Sequence, residues 1–309
     1  VVAQQGMVVT QEKQASRIGA EILAKGGNAV DAAVAVGFAL AVTLPRAGNL
    51  GGGGFMVLHR AETGENIAID YRETAPAAAT PDMFLDADGK ADPEKSRDSA
   101  LAVGVPGTVA GLALAHERYG SGRFTLAELI APAVRLAREG VPVEGDLLDS
   151  LLLAMPRLQR WPSTAPIFAK PDAATWKEGD RLVQADLASA LETIGREGPR
   201  AFYIGPIADA IVSSVREAGG RMTRGDLERY QRAYAGGAVS HNDLSRAQDG
   251  LHKAEIGLAT ARRDFVLQGE GAGLDARNKR LLAQRQRAVV AEQQRQVDAL
   301  TLRAPFDGQ

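Results

Sequence analysis

Between Asn28 and Pro45 the residues Ala29 to Val42 are apolar on every side of a helical wheel, not along one stripe. A helix of that kind has no polar face to offer water, so other elements must enclose it on all sides. Asn28 supplies an N-cap and Pro45 a stop. The longest apolar run, Ala32 to Leu44, has 13 residues, short of the roughly 20 that cross a bilayer. It is therefore expected at the centre of a packed core. Such an enclosure needs a chain of some size, and 309 residues that are 45% hydrophobic and 24% charged supply one. Lys+Arg 36 against Asp+Glu 38, a net charge of −2, gives no basic field for nucleic acid. The absence of cysteine excludes disulfides, thiolate nucleophiles and cysteine-held metals.

Ala15, Ile18, Gly19, Ile22 and Leu23 recur at helical spacing, and Gly26-Gly27 end that pattern, so a first helix is expected over roughly 11 to 25. Phe55 to His59 and Ile67 to Tyr71, joined by Glu62-Thr63-Gly64-Glu65, read as a hairpin. From Leu101 to Gln231 the patterns are mostly helical, punctuated by prolines. The composition changes near Tyr230: residues 231–309 hold 12 Lys+Arg against 9 Asp+Glu, a balance of +3 beside −5 for residues 1–230. In this tail Leu244, Ala247, Leu251, Ala254, Leu258, Ala261 and Phe265 alternate by 3 and 4, a coiled-coil seam. Glycines at 269, 271 and 273 break it, and a second helical stretch follows in which Ala283, Val290 and Val297 recur every seven, with Gln286 and Gln293 between them. The domains are accordingly placed at 1–230 and 231–309. Both ends of the chain read as cut.

Two stretches carry candidate chemistry. In Ala47-Gly48-Asn49-Leu50-Gly51-Gly52-Gly53-Gly54 the four glycines permit a close backbone approach, either to another segment or to a ligand, and their amides are able to hold an anion. No Lys-Ser/Thr follows, which disfavours a phosphate loop. In Asp70-Tyr71-Arg72-Glu73-Thr74-Ala75-Pro76, Arg72 leaves the end of a strand where its guanidinium can take a carboxylate in two parallel hydrogen bonds. The alternative for Arg72 is a surface pair with Asp70 or Glu73. His59, His116, His241 and His252 have no metal-ligand spacing. Thr108, Ser16 and Ser163 belong to no Ser/His/Asp order. Neither a metal nor a cofactor is expected. The basic stretch Arg277, Lys279, Arg280, Arg285 and Arg287 lacks interleaved aromatics and reads as a solvated helix face.

Gly6-Met7-Val8-Val9-Thr10, Lys25-Gly26-Gly27-Asn28-Ala29-Val30-Asp31-Ala32-Ala33-Val34-Ala35, the stretch 47–54, Tyr71-Arg72-Glu73-Thr74-Ala75-Pro76 and Gly104-Val105-Pro106-Gly107-Thr108-Val109-Ala110-Gly111 stand in an order that resembles the gamma-glutamyltransferase family. Weaker similarity runs from Phe202-Tyr203-Ile204-Gly205 to Gly225-Asp226-Leu227-Glu228-Arg229-Tyr230, so about three quarters of the chain is similar to that family's large subunit. The resemblance implies an α/β (α+β) chain, an incomplete αββα sandwich of the N-terminal-nucleophile hydrolase type. It implies gamma-glutamyl transfer from glutathione-like substrates to water or an amino acid, through a threonine nucleophile that belongs to the small subunit. Arg72 matches the arginine that holds the substrate α-carboxylate. No small-subunit sequence lies in these 309 residues, so no catalytic residue is assigned and the chain alone is expected to be inactive.

Tyr230-Gln231-Arg232, Gly237-Ala238-Val239-Ser240, the heptad stretch and Leu300-Thr301-Leu302-Arg303-Ala304-Pro305-Phe306-Asp307-Gly308 are similar instead to periplasmic adaptor proteins of the HlyD-like membrane-fusion kind. That resemblance implies an α-helical coiled-coil hairpin ending where a lipoyl-like half-motif begins. Its partners would be a transporter or an outer-membrane protein of an efflux or secretion system. The two resemblances meet within Glu228 to Arg232, and the chain is read as a chimera of two incomplete proteins. Both resembled families imply the periplasm.

Overall fold

The computed structural model describes residues 6–170, 174–235 and 273–300. These fall into two units, one of residues 6–54 and 71–235 and one of residues 55–70 and 273–300.

The first unit opens with α1 (Lys13–Ala24), where the Glu12 carboxylate accepts from the amides of Gln14 and Ala15 and so caps the first turn. Its buried residues Ala15, Gly19 and Ile22 share one face, at the spacing read from the sequence. Helix α2 (Ala29–Thr43) is buried at 11 of its 15 positions, as an all-apolar helix must be. It packs against α1 on one side and against α4 and α5 on others. Its N-terminus is a capping box: the Asn28 side chain accepts from the amides of Val30 and Asp31, and Asp31 accepts from the Asn28 amide. The same two residues fasten the end of α4. Asn28 donates through Nδ2 to the Tyr119 carbonyl at 2.7 Å, and the fully buried Asp31 carboxylate accepts from the Ser121 amide at 3.1 Å.

The second unit contains β1 (Phe55–Arg60) and β2 (Glu65–Asp70), an antiparallel hairpin in register from Phe55 opposite Asp70 to Arg60 opposite Glu65, as expected. Returning to the first unit, α3 (Pro93–Asp98) and a 3₁₀ turn (Ala100–Ala102) precede α4 (Thr108–Tyr119), a helix buried over its first eight residues. Helix α5 (Leu126–Glu139) begins on a second capping box, Thr125 with Glu128. The two-residue strand β3 (Val141–Pro142) follows, then α6 (Gly145–Leu158), α7 (Ala165–Phe168) and β4 (Arg181–Leu182), which pairs antiparallel with β3. Helix α8 (Ala185–Glu197) buries Ala188, Leu191 and Ile194 and packs against α5. Gln184, just before it, donates to the Val42 carbonyl at 2.9 Å and ties α8 to the end of α2. The unit closes with α9 (Arg200–Tyr203), α10 (Pro206–Glu217) and α11 (Arg224–Ala235), and the described residues of 101–231 are mostly helical, as expected. Helix α11 runs without a break through residue 230, where the sequence divides the chain.

Among the described residues each of the four strands has a hydrogen-bonded neighbour on one side only, and no sheet exceeds two strands. The broad layers of a sandwich are thus not formed within these residues.

In the second unit the long helix α12 (Gly273–Leu300) accompanies the hairpin. Ala283, Gln286, Val290 and Gln293 are its half-buried positions between 282 and 295, the rest being exposed. These four stand at the spacing read from the sequence, and Arg285 and Arg287 are exposed. The other seam, Leu244 to Phe265, lies outside the described residues.

Candidate functional site

The site is built around the backbone of Tyr71-Arg72-Glu73, and the glycines of the sequence motifs are what allow it to form. A methyl group placed on Gly53 would overlap the backbone of Tyr71, Arg72 and Glu73. One on Gly107 would overlap the Tyr71 carbonyl, and one on Gly111 the root of the Tyr71 side chain. Any Cβ at these places would force backbone to move, so the glycines here serve close packing. Gly54 and Tyr71 also exchange backbone hydrogen bonds, at 3.0 Å from the Tyr71 amide and 3.4 Å to the Tyr71 carbonyl.

The amides of Gly107, Thr108 and Ala110, at the start of α4, are engaged within the fold. The Gly52 carbonyl accepts from the amides of Gly107 (2.7 Å) and Thr108 (3.1 Å), and so caps α4, whose N-cap glycine has no side chain to do it. The Tyr203 hydroxyl accepts from the Ala110 amide at 3.1 Å and donates to the Pro106 carbonyl at 3.0 Å. Thr108 is buried at the start of that helix and Ser16 bonds the Thr10 hydroxyl, which places neither as an exposed nucleophile.

The Arg72 segment is fastened on both sides. Thr74 and Val105 exchange backbone hydrogen bonds at 3.2 and 2.7 Å. From α11 the Tyr230 hydroxyl donates to the Arg72 carbonyl at 3.0 Å, and the Asp226 carboxylate accepts from the Ala77 amide at 2.9 Å. Asp226 is itself buried and also accepts from the Thr223 amide and hydroxyl and from Arg229. Burial pushes its carboxyl up, but those hydrogen bonds and the Arg229 charge outweigh it and hold the group below the usual carboxylate range. Burial alone raises the Tyr71 hydroxyl.

On this fixed backbone the Arg72 side chain remains 66% exposed, with Nε 3.4 Å from Glu73 Oε1. The surface pair weighed as the alternative reading is therefore present. A pair so exposed contributes little, and a ligand carboxylate can compete for the guanidinium. Among the described residues the histidines make structural contacts: His116 Nε2 lies 2.8 Å from the Phe124 carbonyl and His59 Nδ1 2.8 Å from Asn66 Oδ1. His241 and His252 lie outside the described residues. No group of three or more metal-ligating acid or histidine side chains occurs among the described residues. A cavity of about 200 Å³ lies elsewhere in the first unit, by the N-termini of α1 and α6, with Lys13 paired to Glu144 at its wall and no contribution from Arg72.

Sequence reasoning missed Asp226, Tyr230 and Tyr203 as site residues. The Tyr230 bond spans 158 residues, and no local pattern announces a contact at that separation.

The sequence profile described as Gamma-glutamyltranspeptidase matches residues 15–243. The chain belongs to the gamma-glutamyltranspeptidase family. It is 49% identical over 232 residues to the glutathione hydrolase proenzyme of Escherichia coli (strain K12), covering 75% of this chain and 39% of that protein. The corresponding proenzyme of Bacillus subtilis (strain 168) is 44% identical over 230 residues, covering 74% of this chain and 38% of that protein. The chain thus spans about two fifths of the length of these relatives. Among solved structures, the gamma-glutamyltranspeptidase of Helicobacter pylori superposes with a TM-score of 0.72 at 43% identity, covering 74% of this chain and 65% of that one. The gamma-glutamyltranspeptidase from Pseudomonas nitroreducens complexed with L-DON superposes with a TM-score of 0.70 at 33% identity, covering 88% and 81%. The fold of this gamma-glutamyltranspeptidase-family chain is accordingly that of the family. Its matched region reaches residue 243, beyond the 230 at which the sequence divides the chain.

Proposed function

We propose that residues 1–230 form the large-subunit portion of a gamma-glutamyl-transferring enzyme and present Arg72 to the α-carboxylate of a glutathione-like compound. The observation that supports this reading is a backbone held by glycine packing and four hydrogen bonds while the arginine it carries stays 66% exposed. The nucleophilic threonine and the rest of the substrate pocket belong to a small-subunit portion, and water or an amino acid accepts the gamma-glutamyl group there. Without that portion the chain turns over no substrate. The strand edges that lack a neighbour among the described residues fit the same reading, since an open edge calls for a covering partner.

The test uses a gamma-glutamyl anilide whose hydrolysis releases a coloured amine. The full chain alone is expected to release none, and the chain supplied with the small-subunit portion of the Escherichia coli relative is expected to release it in an Arg72-dependent way. Release by the chain alone contradicts the inactivity, and indifference to Arg72→Ala contradicts its role.

A second reading concerns residues 231–309: an adaptor-like helical hairpin joined to the enzyme portion as a chimera, packing on a transporter or outer-membrane partner. The half-buried heptad face of α12 favours it. A continuous peptide from Arg229 to Asp243 detected by mass spectrometry in the source material tests the junction. The periplasm is the compartment both readings propose, and no helix among the described residues is long and apolar enough to cross a membrane.

A further inference from the structure

Asp226 and Tyr230 are four residues apart and so share one face of α11. They reach the two ends of one short segment: the Tyr230 hydroxyl holds the Arg72 carbonyl, and the Asp226 carboxylate holds the Ala77 amide. Between those points Pro76 is buried, and Thr74 is paired to Val105. The face that makes these contacts is itself rigidly seated. Leu227 is fully buried beside it, Tyr203 stacks on Tyr230 at 5.9 Å, and Thr223 closes the first turn onto Asp226.

We infer that Asp226 and Tyr230 form a two-point clamp that sets the position of Arg72 for its ligand, and that they act as positioning residues without touching substrate. This rests on the reading of Arg72 as a carboxylate ligand. The physical reason is that a fixed Cα leaves less freedom to be lost when the arginine takes a carboxylate in two parallel bonds, and aims that fork at one place. Glycine packing fixes Arg72 from one side, and α11 adds a hydrogen bond to its carbonyl from a part of the chain 158 residues away.

The experiment compares the full-length wild type with Tyr230→Phe, which keeps the ring and its stacking and removes only the hydroxyl, and with Asp226→Asn. Amide hydrogen exchange over 72–77 is read by mass spectrometry, and glutamate affinity by NMR titration of each chain supplied with the small-subunit portion of the Escherichia coli relative. Ile194→Ala in α8 serves as a control that destabilises the chain without touching the clamp. Removal of one such hydrogen bond is expected to speed exchange over 72–77 by about five- to tenfold and to weaken glutamate by about the same factor. Ile194→Ala lowers the unfolding temperature and does neither. Unchanged exchange in both variants overturns the clamp, as does exchange that rises evenly through the chain. Raised exchange with unaltered affinity overturns its role in positioning. If the wild type shows no glutamate response at all, the reading of Arg72 fails, and exchange still decides the clamp.

Discussion

The corner at Asn28 and Asp31 and the segment around Arg72 look alike as sequence, each a short motif of polar and small residues, yet the structure uses them in opposite ways. At the corner every polar group is turned inward: Asp31 is fully buried, and its carboxylate meets backbone amides of its own helix and of Ser121. At the Arg72 segment the backbone is just as firmly held, but the charged group is left outside. A motif that spends its polar atoms on the fold is a structural corner, whereas one that fixes its backbone and leaves its charged side chain largely exposed is equipped to meet a ligand.

The largest effect that sharpens this contrast is expected from Asp31→Ala, which empties a fully buried site, deletes half a capping box and removes the acceptor for the amides of Asn28 and Ser121. It should cost about 2–4 kcal/mol in denaturant unfolding, without altering Arg72 chemistry in the molecules that remain folded. Gly111→Ala comes next. The added methyl overlaps Tyr71, and overpacking of this kind costs about 1–3 kcal/mol. Because it displaces the backbone that carries Arg72, it should weaken ligand capture as well as stability.

Acid gives a smaller, graded effect. The Asp226 carboxyl is held below its ordinary value in the folded chain, so its contribution is present above the unfolded value of about 3.9 and is lost as pH falls through the lower folded value. Unfolding monitored from pH 6 to pH 2 should therefore show an acid limb that is shallower in Asp226→Asn, and equal limbs would contradict the assignment. The smallest effect on stability is expected at Arg72. Its pair with Glu73 is exposed, so Arg72→Ala should shift stability by less than about 0.5 kcal/mol. A large loss of stability there would break the comparison by making Arg72 part of the fold.

Much of the scaffold was legible in the sequence, and for identifiable reasons. The all-apolar run dictated a buried α2, the spacing of Ala15, Gly19 and Ile22 dictated the inner face of α1, and Gly64 between two apolar runs marked the hairpin. Arg72 was legible as a candidate because it follows a strand end. Its supports were not. Tyr230 was read as the meeting point of two resemblances, but its hydroxyl belongs to the Arg72 segment, a contact made by tertiary packing. The capping box of Asn28 with Asp31 was seen only as a lone cap, since aspartate stands where glutamate or glutamine usually closes the box. The two-residue strands β3 and β4 carry no period long enough to detect. The glycine run left packing and ligand binding equally open until Gly53 was found against residues 71–73.

Whether Arg72 is presented to a ligand and not consumed by the fold is measured directly by NMR titration with glutamate of the full chain supplied with the small-subunit portion, for wild type beside Arg72→Ala. The expected result is a saturable shift of resonances over 72–77 in the wild type and its loss in Arg72→Ala, with both chains unfolding at the same temperature. Identical responses from the two chains, or a substituted chain that no longer folds, would contradict it.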